Sequence, residues 1–155
     1  MRVIFEVYIF LITGGTQMTL IEARIADEDQ AGTDCSVSLE LRSQGTEEAC
    51  KTDVLDSPGN SWARGGREAF YYDLFYSSRP PPGYFGDCAD FQPKENLQFR
   101  FTFYVPLIFK WTCYDHMKLT KFDVYFGRRF FRWSGAYWFS RNSDWMNFNS
   151  EGTEK

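Results

Sequence analysis

The chain has 155 residues, a formal net charge of −4 and a sequence pI near 5.0, a length that suits one domain burying roughly two-thirds of its unfolded surface. An acidic balance excludes a generic nucleic-acid binder, which needs a basic face to displace phosphate counterions. Sixteen Phe, nine Tyr and five Trp make 19% of the chain aromatic, and without a long helical period this predicts pleated, β-rich packing.

Residues 1–17, MRVIFEVYIFLITGGTQ, have two readings. Arg2, an apolar run from Val3 to Ile12 and the small residues Gly14, Gly15 and Thr16 read as a secretory signal peptide. Glu6 inside the run is foreign to such a leader, and a first strand with Val3, Phe5, Val7 and Ile9 on one face fits the same residues. The signal peptide is favoured, and the run is too short to span a bilayer as a helix.

MTLIEARIA alternates Leu20, Glu22 and Arg24 against Ile21, Ala23 and Ile25 and predicts a strand. ADEDQAGTD follows as an acidic loop, with Asp27, Glu28, Asp29 and Asp34 around Gly32 and no Lys or Arg inside it. Next comes CSVSLELRS, where Cys35, Val37, Leu39 and Leu41 share one face and Ser36, Ser38, Glu40 and Arg42 the other, the period of a half-buried strand. QGTEEACK reads as a turn carrying Cys50, and Pro58, Gly59, Gly65 and Gly66 mark a loop before the strand-like AFYYDLF.

Three consecutive prolines make SSRPPPGYFGDC a stiff surface loop. NLQFRFTFYVPLIF puts Leu97, Phe99, Phe101 and Phe103 on one face and is the clearest buried strand, with an edge, bulge or break at Pro106. LTKFDVYFG is the last strand, Phe122, Val124 and Phe126 alternating with Lys121, Asp123 and Tyr125. The aromatic and basic segment 128–155 forms either a hairpin around Ser134 and Gly135 or a C-terminal extension of uncertain order. Short strands separated by Gly, Pro and Asp turns predict an all-β, antiparallel two-sheet β-sandwich.

Cys35, Cys50, Cys88 and Cys113 contain no CxxC pair, so disulfides lead over zinc ligation, with three connectivities open and four buried thiols as the alternative. Bridges of this kind agree with export to an extracellular compartment.

From AGTDCSVSLEL onward the order of motifs resembles the PLAT/LH2 domain, the β-sandwich of lipoxygenases, pancreatic lipases and polycystins. The resemblance runs through Leu55, the loop NSWARGGREAF, Leu97 and Phe99, Trp111 and LTKFDVYFG, covering roughly residues 18–127. FTFYVPLIFK occupies the place of the family's short Asp- or Asn-bearing turn, and the PPPG loop and four cysteines are not general family features. The resemblance implies a PLAT-like fold over 18–127 and a stand-alone, secreted binding module.

Carried over by position, the family's calcium ligands would be Gly32 and Thr33 through carbonyls, Asp34, Asn60 and Glu68, oxygen donors suited to a hard cation. The alternative for these residues is loop and turn hydrogen bonding. Trp62, with Arg64 and Arg67 nearby, would be the lipid- or partner-binding set, an amphipathic indole among cations at a membrane interface. Trp62 folded onto the core is the alternative, and Trp111 reads as core.

Three function classes follow. The first is a monomeric, non-enzymatic module docking on membrane lipid or a protein, with calcium. The second is an interaction subunit using the aromatic stretches Phe99 to Phe109 and Phe130 to Phe139. The third, a small hydrolase around His116, Asp115 and Cys113, lacks a GxSxG elbow and any sequence-selected triad.

Overall fold

The computed structural model describes residues 17–55, 61–71, 85–106 and 108–154. Strands β1 (Met18–Ile25), β2 (Ser36–Ser43), β3 (Ala49–Lys51), β4 (Arg67–Tyr71), β5 (Leu97–Val105), β6 (Ile108–Thr112), β7 (His116–Phe126), β8 (Arg129–Ser140), β9 (Met146–Asn147) and β10 (Ser150–Thr153) are joined by loops and one 3-10 turn at Gly86–Asp90. One sheet runs β10-β8-β7-β1-β4 and the other β3-β2-β5-β6, with β9 also on β5. Every pairing is antiparallel. The predicted all-β sandwich is therefore the fold.

The alternation read from the sequence decides which faces meet. Val37, Leu39 and Leu41 of β2 and Phe99 and Phe103 of β5 are fully buried, as are Ile21, Phe122 and Val124 from the opposing sheet. Phe99 and Phe101 each lie 4.9 Å from the Phe122 ring across the sandwich. Phe139 closes the same cluster at 5.8 and 5.3 Å. Such offset and edge contacts add about 0.5–1.5 kcal/mol per pair beyond burial, so the aromatic content is spent largely on the core.

Several expectations change. Residues 128–155 do not stand apart: β8 runs unbroken through Ser134 and Gly135 beside β7, and β10 pairs with β8. The register passes from Leu119↔Tyr137 to Lys121↔Ser134, so one extra residue on β8 makes a bulge where one of the two readings places a hairpin turn. QGTEEACK ends in a short strand, β3, rather than remaining a turn. Trp111, read as core, is 58% exposed, because it stands on the sheet-edge strand β6.

The cysteines pair as Cys35–Cys113 and Cys50–Cys88. The second bridge fastens the 3-10 turn against β3, where a Cβ on Gly86 would meet the Lys51 carbonyl oxygen at 2.6 Å. Only glycine fits there, and its φ of +52° adds a second reason. The leader residues 1–16, Asn60, the PPPG loop and the end of AFYYDLF lie outside the described residues.

Candidate functional site

The end of the sandwich where β1 stops and β2, β4 and β7 start gathers most of the residues singled out by sequence. The acidic loop is clasped there by backbone. Ala26 N–H donates to the Lys118 carbonyl and Lys118 N–H to the Ala31 carbonyl, both at 2.9 Å, fixing the loop to β7. Gly65 N–H donates to Ala26 O and Thr33 N–H to Trp62 O, both at 3.0 Å, fixing it to the 61–66 loop. Gly32 sits at the closest approach, where a Cβ would meet Arg64 N at 2.7 Å and Trp62 O at 2.8 Å.

Side chains tie in a third segment. The Thr33 hydroxyl donates to Asp115 Oδ2 at 2.8 Å and accepts from Cys35 N–H at 3.1 Å. Asp115 Oδ1 accepts the His116 backbone N–H at 2.8 Å, and the Cys35–Cys113 bridge runs alongside. Asp115 is thus a loop brace, and Cys113 is no free thiol nucleophile. Of the cations, Arg64 meets Asp27 at 3.2 Å and Lys118 meets Glu28 at 2.9 Å. The loop's charge is partly neutralised by residues distant in sequence, contrary to its local composition.

Of the predicted calcium set, Gly32, Thr33, Asp34 and Glu68 are brought to one end of the molecule but not into one ligand shell, and Asn60 lies outside the described residues. Thr33 is buried with its hydroxyl engaged, Asp34 is exposed, and Glu68 is buried with Oε1 accepting the Trp62 N–H at 2.6 Å. Among the described residues no three His, Cys, Asp or Glu side chains group as metal ligands. The described members of the set, with the Thr33 hydroxyl and one Glu68 oxygen already engaged, do not by themselves make up a calcium shell of six to eight oxygens.

The lipid-facing role predicted for Trp62 is corrected. Trp62 is 1% exposed, packs 5.7 Å from Phe70 and 6.2 Å from Phe101, and its indole N–H donates to Leu55 O at 3.1 Å. With a φ of 59° its backbone turns the side chain inward, so the Gly-rich loop carries a core residue. Arg64 stays at the surface of this end, and Arg67 stands exposed at the start of β4.

Other aromatics occupy the surface in its place. Trp111, Tyr114, Tyr137 and Trp138 are each at least 40% exposed. The Arg141 guanidinium lies 3.9 Å over the Tyr114 ring, and Lys118 Nζ lies 5.5 Å over Trp138. His116 meets Trp138 edge-on at 4.8 Å. Period-two alternation does not pick out Trp138, since Ser134 to Trp138 are all exposed before Phe139 turns inward; its pairing with Lys118 places it beside that cation.

No family model matches the chain, and no curated protein matches it. Among solved structures the chain is similar to the alpha toxin from Clostridium absonum, with a TM-score of 0.53 at 18% identity over 87% of this chain. It spans about a third of that toxin's length, 32%. At this identity the likeness shows the fold alone, an antiparallel β-sandwich.

Proposed function

We propose that this chain is a secreted, non-enzymatic binding module that docks as a monomer on a lipid surface through the loop end of its sandwich. The observation that carries the reading is the grouping of exposed aromatics with cations: Tyr114 stands against Arg141 and Trp138 against Lys118 and His116, with Trp111 exposed three residues before Tyr114. Trp and Tyr favour the bilayer interface, and neighbouring cations are drawn to anionic headgroups. Two disulfides among four cysteines favour an oxidising compartment. Of the phenylalanines considered for a protein interface, Phe99, Phe101, Phe103, Phe131 and Phe139 are committed to the core.

Calcium carries no step in this reading, since the described donors do not assemble around an ion. The test is sedimentation with phosphatidylcholine vesicles, with and without phosphatidylserine, each in calcium and in chelator. Binding is expected with anionic vesicles and should fall about tenfold or more in Trp111→Ala or Trp138→Ala, from roughly 1.5–3 kcal/mol per large apolar side chain. A triple variant including Tyr114→Ala that sediments like the parent would overturn the reading. Binding abolished by chelator in the parent would restore calcium to the site.

A further inference from the structure

The outer face of the β10-β8-β7-β1-β4 sheet carries a row of charges that folding alone disfavours. Arg24 on β1 is the direct cross-strand partner of Arg67 on β4 and of Lys121 on β7. Like charges placed directly opposite destabilise a sheet. No carboxylate offsets the two arginines, for among the described residues neither makes an ion pair. Lys121 has only a 3.7 Å approach to Asp123, whose carboxylate Arg132 already holds at 3.0 Å through each oxygen.

The next row gives this trio a floor. Ala69 and Asp123 flank Glu22 there, and the small Ala69 side chain stands beside an open groove of about 280 Å³ lined by Arg24, Arg67, Lys121, Glu22, Glu68 and Asp123. With Asp123 held by Arg132 and the buried Glu68 carboxylate engaged by the Trp62 N–H, Glu22 is the carboxylate set directly in the row beside the three cations. Two guanidinium forks and an ammonium are the donor set that takes tetrahedral oxyanions, the arginines through paired N–H groups and the lysine as a point charge.

We propose that this groove binds a phosphate monoester. The groove lies on the outer sheet face, just inside the loop end that carries Lys118 and Trp138, and binding of a soluble ester there does not depend on docking through the aromatics. The ester can be a free metabolite or a lipid headgroup, and the chemistry is shared: the dianion occupies the Arg24–Arg67–Lys121 row, and the esterified alcohol fills the remaining groove above Ala69.

Calorimetric titration of the whole oxidised chain with glycerol phosphate, at constant ionic strength, reads the site without any membrane. Saturable binding is expected, weakened about tenfold or more by Arg24→Gln or Arg67→Gln. Glu22→Gln should tighten it by removing the opposing charge, an effect that general loss of structure does not produce. Thermal melts of the variants should match or exceed the parent, because like-charge repulsion has been relieved. Vesicles of phosphatidylcholine with phosphatidic acid form the second arm. Retention displaced by glycerol phosphate identifies a headgroup as the source, and binding of the soluble ester alone identifies a free one; both support the groove. No saturable binding in the parent, equal displacement by chloride, or parent-like affinity in the Arg24→Gln, Arg67→Gln double variant overturns the proposal.

Discussion

Replacing Trp62 by alanine separates a core role from a membrane role. The side chain is 1% exposed, its ring meets Phe70 and Phe101, and its indole N–H is satisfied by Leu55 O. Truncating a tryptophan so placed costs about 3–5 kcal/mol in lost transfer free energy and the cavity left behind. For a chain of this length each kcal/mol moves Tm by roughly 2–4 °C, so the midpoint should fall by about 6–20 °C. Thermal unfolding of the oxidised protein measures the midpoint, and urea unfolding the free energy. Trp62→Phe keeps most of the ring but leaves the Leu55 carbonyl without its donor, and should cost about 1–3 kcal/mol. A loss below about 1 kcal/mol in Trp62→Ala, together with loss of vesicle sedimentation, would refute the reasoning and return Trp62 to the surface.

Acid should weaken the fold through Glu40. Burial pushes its carboxyl up, but hydrogen bonds from Thr102 and Arg100, with the charges of Arg100 and Lys51, outweigh this and hold it below the ordinary carboxylate range. A depressed carboxyl contributes stability that is present above the unfolded value, about 4.3, and is lost as pH falls through the folded one. The urea midpoint should therefore drop more steeply in this range for the parent than for Glu40→Gln, and parallel pH curves would count against the ion pair. The disulfides close separations of 78 and 38 residues, so Cys35→Ser with Cys113→Ser, or Cys50→Ser with Cys88→Ser, should each cost about 4 kcal/mol by loop entropy. Calorimetry of the two variants checks this, and because one loop contains the other, the losses should not add.

Sequence periodicity went furthest where one face is buried along a whole strand. Val37, Leu39 and Leu41, and Leu97 to Phe103, were legible because each inward residue meets the opposite sheet. It stopped at β8, where Ser134 and Gly135 carry a turn's composition, although Gly135 sits against the Trp133 ring, 3.1 Å from where its Cβ would be. Trp62 was ambiguous for a related reason. Its neighbours are loop formers, and the residues that receive it are Leu55 and Phe70, a few residues to either side, together with Phe101, distant in sequence. The site was legible as a meeting of the AGTD loop with the Trp62 loop, but not in its charge state, which Lys118 sets across 90 residues. Trp138 and the Arg24–Arg67–Lys121 row depend on cross-strand register, which no local window contains.

The Cys50–Cys88 bridge bears on more than stability. β3 is the outermost strand of its sheet, and an outermost strand offers free backbone groups on which another chain can pair. The 3-10 turn held by Cys88 lies against β3, with Gly86 in contact range of the Lys51 carbonyl. Reduction of this bridge would uncover a template for intermolecular strand addition, so the linkage that fastens a short turn also shields a strand edge from self-association.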